Sequence, residues 1–336
     1  MAKILVTGGL GYIGSHTCVA LFESGHEPVV IDNLSNSEAH VKNQIEAITN
    51  SSISLEVLDL CDFDALNRFL EKENDIAGVI HFAALKAVGE SVEKPLLYYQ
   101  NNIQGLINLL TAQKNAIPFI FSSSCTVYGD SDILPLKEDF PFQKAVSPYG
   151  STKQMGEEIL KFSAGKNNQG PVIALRYFNP IGAHSSSKIG ELPRGIPQNL
   201  IPYLTQTAAG KRTILSVFGD TYPTHDGTCI RDYIHVMDLA EAHVFALNRL
   251  LEGKNKNNFE VYNIGTGKGC SVLELIHKFE KTTGVAVPHK IAPPRAGDVT
   301  AAFADTELAE TVLGWRAKRS LEEALLSAWN WEKQLP

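Results

Sequence analysis

The sequence contains few cysteines, and they fall into no common structural pattern. Its 336 residues include five, at positions 18, 61, 125, 229 and 270, with no Cys-x-x-Cys pair among them. An odd number of widely spaced cysteines is typical of reduced thiols, whereas disulfide frameworks and zinc sites need paired spacing. We therefore expect a cytoplasmic protein that holds no metal.

Long hydrophobic runs and basic stripes are missing as well. No apolar stretch approaches the roughly 20 residues that a membrane-spanning helix needs. The apolar run at Met1–Val6 enters a glycine-rich turn too soon for a signal peptide. The net charge is −7 and the basic residues are scattered, whereas nucleic-acid binding calls for clustered positive charge. We expect neither a membrane nor a nucleic-acid partner.

The first half of the chain alternates short β-branched runs with longer amphipathic segments. Strand, helix, strand at this spacing predicts parallel pairing through right-handed crossovers. The expected fold is α/β, a doubly wound parallel sheet of the Rossmann type. The predicted strands are Lys3–Thr7, Val29–Asp32, Leu55–Leu58, Val79–Phe82 and Phe119–Ser122, with helices over Ile13–Ser24 and Asp62–Glu73.

The composition and the pattern of the sequence change near residue 180. Between Asn179 and Gly227, Gly, Pro, Ser and Asn become frequent and the strand–helix alternation is lost. One strand-turn-helix follows at Tyr262–Phe279, and an amphipathic helix at Leu321–Trp331 closes the chain. We predict a first unit of residues 1–180 and a smaller α/β lobe of residues 181–336, with a cleft between them.

A glycine turn joins the first predicted strand to the first helix. Gly8, Gly11 and Gly14 allow a tight turn, close approach of a pyrophosphate to the backbone, and close helix–strand packing. The N-terminus of the helix offers free N–H groups to the phosphates. A plain turn is the alternative, but the strand before and the helix after it favour dinucleotide binding.

Asp32 ends the second predicted strand, 18 residues after Gly14. A carboxylate at this position accepts hydrogen bonds from the adenosine ribose and repels a 2′-phosphate, which favours NAD over NADP. Asn33 follows where an arginine would favour NADP. Asp59, after the third strand, is expected near the adenine. The alternative role for Asp32 is that of a simple strand-end cap.

Tyr149 and Lys153 are four residues apart at a predicted helix start, where Ser147 is the N-cap and Pro148 occupies the first turn. They therefore share one helix face. A tyrosine with its ordinary pKa of about 10 is protonated at pH 7. We expect a desolvated Lys153 ammonium and the positive nicotinamide ring together to lower that pKa, because an exposed ion pair contributes only about 0–1 kcal/mol. Ser124 ends a strand of the same sheet, within reach of a sugar hydroxyl.

These residues together are similar to those of the extended short-chain dehydrogenase/reductases. Over its whole length the chain resembles one family of that class, the UDP-galactose (UDP-glucose) 4-epimerases. The resemblance implies that the first unit binds NAD, that the second binds a UDP-hexose, and that the protein has 4-epimerase activity. The segments that carry it are Thr7–His16, His81–Ser91, Ser122–Gly129, Ser147–Lys153, Arg176–Pro180, Gly195–Leu200, Asp226–Val236 and Arg295–Asp298.

The resemblance implies a role for each matching residue. Tyr149 is the expected catalytic base, Ser124 its hydrogen-bonding partner, and Lys153 the holder of the nicotinamide ribose. Lys86 and Asn101 are expected in the cofactor site, and Lys86 also near the substrate. The other cofactor-binding residues implied are Gly8, Gly11, Tyr12, Ile13, Gly14, Asp32, Asn33, Asp59, Leu60, Phe82, Ala83, Ala84, Ser122, Tyr177 and Phe178.

The same resemblance implies a substrate site. Phe178 and Asn179 are expected beside the sugar, and Arg231 and Arg295 at the diphosphate, which suits their planar forks of N–H donors. The remaining substrate-binding residues implied are Asn199 at the diphosphate, Asp298 at the uridine ribose, Leu200, Phe218 and Ala302.

Two positions depart from the family pattern. Ala84 replaces a common glycine, which is expected to be a tolerated packing change. Ala302 replaces the tyrosine of many bacterial members, and the wider pocket predicts activity on UDP-N-acetylglucosamine and UDP-N-acetylgalactosamine as well. Refilling of the space by Phe303 or a neighbouring loop is the alternative.

Three other functions remain open on this scaffold. A 4,6-dehydratase needs an acid and a base that Cys125 and Thr126, after Ser124, do not provide. A UDP-glucuronate decarboxylase needs a basic group for the sugar carboxylate, and none is assignable. A catalytically silent NAD-sensing module is disfavoured by the intact Ser124, Tyr149 and Lys153. A homodimer is expected, paired through the segments Pro95–Gln113 and Tyr149–Phe162.

Overall fold

The computed structural model describes residues 1–295 and 297–336. Ala296, which belongs to the segment Arg295–Asp298, lies outside the described residues. The strands are β1 Lys3–Thr7, β2 Glu27–Asp32, β3 Ser54–Val57, β4 Ile76–His81, β5 Phe119–Ser124, β6 Val172–Tyr177, β7 Asn179–Ile181, β8 Leu215–Phe218, β9 Ile230–His235, β10 Phe259–Ile264, β11 Gly269–Ser271, β12 His289–Ala292 and β13 Ala301–Ala302. The α-helices are α1 Tyr12–Glu23, α2 Val41–Thr49, α3 Phe63–Lys72, α4 Val88–Glu93, α5 Pro95–Tyr99, α6 Gly105–Ala112, α7 Pro148–Ser163, α8 Leu200–Ala208, α9 Val236–Leu251, α10 Val272–Thr283 and α11 Leu321–Glu332.

The main sheet has seven strands in the order β10-β6-β5-β4-β1-β2-β3. Every neighbouring pair is parallel. In a parallel sheet covered on both faces, strands are buried throughout and appear in the sequence as continuous apolar runs. Ile4, Leu5 and Val6 of β1 are fully buried for this reason. The predicted doubly wound α/β fold is confirmed.

Helices pack on both faces of this sheet and form two hydrophobic cores. On one face, Leu21 of α1 and Leu247 of α9 belong to the core that includes Val30. On the other face, Leu66 of α3 and Leu160 of α7 belong to a second core. Each such fully buried aliphatic side chain contributes about 1.5–3 kcal/mol. Packing of helices on both faces therefore holds the sheet in place, together with the strand ends from which the candidate site residues extend.

The helix starts follow from local sequence. Ser147 caps α7 by accepting a hydrogen bond from the Gly150 N–H at 3.1 Å, and Pro148 occupies the first turn, as predicted. α10 and α11 each begin with a capping box, Ser271 with Glu274 in α10. Such caps satisfy N–H groups that the first helical turn leaves free. None of the helices in residues 1–295 and 297–336 is long and apolar enough to cross a membrane.

The later residues form a smaller layer and also complete the main sheet. β9 pairs with β7, β11 and β13, and β8 pairs with β12. The boundary at residue 180 placed β10 in the second lobe. In the structure β10 pairs in parallel with β6 of the main sheet, and Tyr262 lies opposite Leu175. Helix α9 likewise packs on α1. The division at residue 180 stays a prediction, and residues 1–180 alone do not contain the whole main sheet.

Candidate active site

The glycine turn is a tight backbone crossing in which side chains have no room. Gly8 has a φ of 69°, and a Cβ there would lie 2.8 Å from the backbone nitrogen of Ala83. A Cβ on Gly14 would overlap the carbonyl oxygen of Gly8. Gly11 caps α1 without a side-chain hydrogen bond. The N-terminus of α1 therefore presents open N–H groups, which suits a pyrophosphate.

The Asp32 carboxylate is buried beside this turn. Its Oδ2 accepts a hydrogen bond from the Leu10 N–H at 3.0 Å, and its Oδ1 accepts from the Leu34 N–H at 2.9 Å and from the Ser37 hydroxyl at 2.7 Å. Asp32 thus joins the end of β2 to the glycine turn. A carboxylate held at this edge is placed to receive ribose hydroxyls.

Asn33 and Asp59 lie together at the same edge. The Asn33 amide donates to Asp59 Oδ2 at 3.0 Å, and the Cys61 N–H donates to Asp59 Oδ1 at 2.8 Å. The carbonyl of Leu60 accepts from the Asn108 amide at 2.8 Å. These contacts order the loop after β3, where the adenine is expected.

The residues after β4 form another wall of the site. The Phe82 N–H donates to the Thr7 carbonyl at 3.0 Å, and Ala83 approaches Gly8 closely. Asn101 donates to the side chain of Asn102 at 2.9 Å. Asn102, which the sequence analysis did not single out, also donates to the Leu85 carbonyl at 3.0 Å. Its amide therefore fixes the loop that contains Ala84.

Tyr149 and Lys153 are both buried on α7, at the end of β5. The Lys153 ammonium donates to the Ser122 carbonyl oxygen at 2.6 Å and lies 5.8 Å from the centre of the Tyr149 ring. The Ser122 hydroxyl is hydrogen-bonded to the hydroxyl of Tyr177. Ser124 ends β5 opposite Tyr177. The sheet edge and the helix face thus bring together the predicted tyrosine, lysine and serines.

Burial governs the protonation of these groups. It raises the pKa of Tyr149 above its ordinary value; Tyr177 raises it further, and the Ser124 hydroxyl lowers it. Burial also lowers the pKa of Lys153 to about 8, partly opposed by Glu157. The protein alone therefore favours a neutral Tyr149, and ionisation of that phenol requires additional positive charge in the site.

Buried polar groups face this region. The Thr126 hydroxyl is buried and has no hydrogen-bond partner among the described residues, and the Thr126 N–H donates to Ser124 Oγ at 3.2 Å. Ordinary buried hydroxyls are paired, so an orphaned one beside Ser124 suits a bound polar ligand. Arg231 acts to lower the pKa of Cys125, which burial raises to about 11. Arg231 is therefore close to the serine-rich end of β5.

The predicted phosphate-binding residues form a cluster in the smaller layer. Arg295 Nε lies 2.9 Å from Asp298 Oδ2, and an Arg231 guanidinium nitrogen lies 3.8 Å from Asp298 Oδ1. The Arg295 guanidinium stacks 4.7 Å from the centre of the Phe218 ring. Four of the predicted substrate residues are thus joined, with two cations around one carboxylate. The net positive charge suits a diphosphate.

Ala302 lies between this cluster and the sheet edge. It pairs with Arg231 in the register of β13 and β9. It also belongs to a small buried cluster with Val127 and Phe178, against which Cys125 packs. The methyl side chain of Ala302 therefore lies in the same buried cluster as Phe178, beside which the sugar is expected. Asn179 follows Phe178 and pairs with Tyr233.

Lys86 and Asn199 are joined through a residue that the sequence analysis missed. The Lys86 ammonium donates to Glu191 Oε1 at 3.1 Å, and the Asn199 amide donates to the same oxygen at 2.5 Å. Leu200 begins α8 directly after Asn199. Glu191 stands in a loop without a recognisable motif, so only the three-dimensional structure reveals it.

A buried ion pair supports the catalytic helix and was also missed. Arg176 on β6 donates to both carboxylate oxygens of Glu157 on α7, at 2.7 Å and 2.9 Å. The Ser123 hydroxyl donates to the same carboxylate at 2.5 Å. This pair joins α7 to β5 and β6, and removing either partner would leave a buried charge.

Comparison with known proteins gives matches along nearly the whole chain. The family model described as GDP-mannose 4,6 dehydratase matches residues 5–327. The UDP-glucose 4-epimerase of Bacillus subtilis is 52% identical over 98% of this chain and 96% of its own.

Solved structures match equally well. A UDP-glucose 4-epimerase from Stenotrophomonas maltophila, with bound NAD and formylated UDP-arabinopyranose, has a TM-score of 0.94 at 46% identity, covering 99% of this chain and 98% of its own. The UDP-glucose 4-epimerase from Bifidobacterium longum, in complex with NAD⁺ and UDP, has a TM-score of 0.93 at 42% identity, with the same coverage.

The glycine turn, Asp32 and the Tyr149–Lys153 pair on this sheet define an extended short-chain dehydrogenase/reductase. Within that class the chain belongs to the UDP-glucose 4-epimerase family.

Proposed function

We propose that the protein is an NAD-dependent enzyme that reversibly inverts carbon 4 of UDP-glucose and UDP-galactose. The observation that carries the proposal is the buried group of Tyr149, Lys153 and Ser124 at the carboxyl end of β5. An acid–base residue held beside a sugar hydroxyl is what this reaction needs. The glycine turn is suited to the pyrophosphate of the cofactor, and the cluster of Arg231 and Arg295 is suited to the diphosphate of the nucleotide sugar.

Tyr149 is proposed to take the proton from the sugar 4-hydroxyl and to return it. Ser124 holds the same hydroxyl by a hydrogen bond, which orients it toward the phenol oxygen. Lys153, fixed by the Ser122 carbonyl, places its ammonium near the phenol. Because burial raises the pKa of Tyr149, the phenol acts as a base only when positive charge beside it lowers that pKa.

The residues of the first unit fit NAD. Gly8, Gly11 and Gly14 leave room for a pyrophosphate at the open N-terminus of α1, and Asp32 would hold the adenosine ribose. When bound, NAD supplies reversible oxidation at carbon 4, which allows the configuration there to be inverted. Chromatography of the cofactor extracted from the purified protein tests the assignment. NAD is expected, and recovery of mainly NADP would contradict the role of Asp32.

The smaller layer is proposed to hold the UDP end. Arg231 and Arg295 bind the diphosphate oxygens, with Asn199, Leu200 and Phe218 around them. Asp298, which forms an ion pair with Arg295 in this structure, accepts hydrogen bonds from the uridine ribose. The arginine–carboxylate pair keeps the two cations in place before substrate arrives, so less side-chain freedom is lost on binding.

Product analysis tests the activity. The protein is incubated with UDP-glucose and, separately, with UDP-galactose, and the sugars are resolved by chromatography. We expect interconversion without added cofactor. A 4,6-dehydratase would give a 4-keto-6-deoxy sugar instead, but Cys125 and Thr126 lack its acid and base. A silent NAD-binding module would leave both substrates unchanged, and either outcome would overturn the proposal.

The reaction is proposed to extend to UDP-N-acetylglucosamine and UDP-N-acetylgalactosamine. The observation that favours this is the small side chain of Ala302 in the buried cluster that contains Phe178. A 2-N-acetyl group adds bulk to a sugar that must turn within the pocket, and a methyl side chain leaves more room for it than an aromatic ring.

The protein is further proposed to be a cytoplasmic homodimer. Helices α4, α5 and α7 pack together and expose apolar side chains, notably Leu96 at 81%, Phe162 at 68% and Val92 at 62%. Apolar groups gathered on adjacent helices are typical of a protein–protein interface. Light scattering after size-exclusion chromatography tests this: a mass near twice 36.7 kDa is expected, and a monomer would contradict it.

A further inference from the structure

Glu191 joins two separate parts of the candidate site. Its Oε1 accepts hydrogen bonds from Lys86 Nζ at 3.1 Å and from Asn199 Nδ2 at 2.5 Å. Lys86 stands in the loop after β4 of the main sheet, and Asn199 directly precedes α8 in the smaller layer. A single carboxylate therefore connects the two walls between which a nucleotide sugar is expected.

The position of Glu191 is set by its backbone. Its carbonyl oxygen accepts a hydrogen bond from Trp331 Nε1 at 3.0 Å. The preceding Gly190 is pressed against the Trp331 ring, where a Cβ would come within 2.5 Å, and it bridges to Ala183. The last helix thus anchors the loop, and the carboxylate is held rather than free to swing on the surface.

The environment of Glu191 suits an orienting role. Its side chain is 12% exposed, against 47% for Lys86. The charge of Glu191 adds to burial in raising the pKa of Tyr12, the first residue of α1. The carboxylate therefore lies near the cofactor turn as well. Because the Asn199 amide donates to Glu191, its orientation is fixed, and α8 is left without a side-chain cap.

We propose that Glu191 is a positioning residue that holds Lys86 and Asn199 for the diphosphate end of the substrate. This inference rests on the proposed function. Glu191 has no hydrogen bond to Tyr149, Lys153 or Ser124 among the described residues. Its loss is therefore expected to weaken nucleotide binding and leave the proton-transfer step nearly unchanged.

The test compares UDP binding with turnover in Glu191→Ala and Glu191→Gln. We expect Glu191→Ala to raise the calorimetric Kd for UDP and the KM for UDP-glucose about tenfold, with kcat within about twofold of wild type. Glu191→Gln keeps an acceptor for Asn199 and loses the attraction to Lys86, so a smaller increase is expected. The matched control is Glu71→Ala, which removes a carboxylate paired with Lys114 on the surface.

A double-mutant cycle separates positioning from general stability. If Glu191 acts through Asn199 as well as Lys86, then Glu191→Ala should weaken UDP binding less in the Asn199→Ala background than it does in wild type. Additive losses, an unchanged UDP affinity, or a fall in kcat at constant KM would each overturn the inference. Glu191→Gln supplies the readout if the alanine variant does not fold. Failure of the proposed function is distinct, because wild type would then neither bind UDP nor interconvert its sugars.

Discussion

The two edges of the main sheet differ in what they bury. At the carboxyl ends of the strands lie Asp32, His81, the Ser122–Ser124 run and Lys153, all buried and polar. At the amino ends, a cavity of about 80 Å³ is walled mainly by aliphatic side chains. Because all strands are parallel, each edge collects the same end of every strand, and ligands bind at the carboxyl edge in this architecture.

The buried polar groups at the carboxyl edge reduce the stability of the fold. Burial lowers the pKa of Lys153 to about 8 and that of His81 to about 3, so a charged lysine at neutral pH is held against its own desolvation. Such groups at the carboxyl edge have a proposed role in binding and catalysis. At the amino edge, Gln113 is buried without such a role. Removing polar groups should therefore cost activity at one edge and none at the other.

The largest effect is expected from Tyr149→Phe at the carboxyl edge. The variant keeps the ring and loses the hydroxyl that is proposed to exchange the proton with the sugar. We expect kcat for UDP-galactose to fall about 10²–10⁴-fold, while calorimetric affinity for UDP stays within about twofold. Retention of more than a tenth of wild-type turnover would show that another group is the base.

Lys153→Met tests the opposition between activity and stability. The fall in pKa from 10.5 to about 8 corresponds to about 3 kcal/mol of burial cost at pH 7. The Ser122 carbonyl loses its donor, which offsets about 1 kcal/mol. We expect turnover to collapse and, in urea titration of the NAD-free protein, the free energy of unfolding to rise by about 2 kcal/mol.

The pH dependence of that gain gives a sharper check. Between pH 8 and 10.5 the folded wild type has released the Lys153 proton, whereas the unfolded chain still binds it. Wild-type stability should therefore rise with pH through this window relative to Lys153→Met, and the advantage of the variant should shrink. A difference that stays constant from pH 7 to pH 10 would contradict a buried ammonium.

Ala302→Tyr tests the width of the sugar pocket. The added ring would extend from the cluster that contains Phe178 into the space proposed for the 2-substituent. We expect kcat/KM for UDP-N-acetylgalactosamine to fall about 10–100-fold relative to that for UDP-galactose. Ala302→Val is the matched control and should change the ratio less. Equal losses on both substrates, or no N-acetylated activity in wild type, would refute this assignment.

The main strands were predictable because burial on both faces leaves an apolar run in the sequence. β1 matches its predicted bounds, and β5 runs two residues beyond its predicted end, to Ser124. The N-cap of α7 was predictable because Ser147-Pro148 is a strong local signal. The place of β10 was not, because its pairing with β6 depends on contacts between residues far apart in the sequence.

The site shows the same division. Gly8, Asp32 and Tyr149 belong to patterns with a local spacing, so their roles could be predicted from sequence and resemblance. Glu191 has no such spacing, because its partners stand 105 residues before and 8 residues after it. The Arg176–Glu157 pair is likewise formed between a strand and a helix, and its burial follows only from the packed structure.

The smallest effect is expected at the amino edge, from Gln113→Met. Gln113 is 7% exposed and lines the cavity, and neither polar atom of its amide has a partner among the described residues. An unpaired buried amide costs about 1–3 kcal/mol, and methionine fills a similar volume without polar atoms. We expect the free energy of unfolding to rise by about 1 kcal/mol and kcat to stay unchanged.

The matched control for that variant is Gln169→Met, because the Gln169 amide donates to the Leu110 carbonyl at 2.8 Å. Its loss removes a hydrogen bond, so this variant should be destabilised by about 1 kcal/mol. If Gln113→Met is destabilised by a similar amount, ordered water must already satisfy the Gln113 amide in the cavity. If instead it loses turnover, the amino edge is coupled to the active site, and the contrast between the two edges fails.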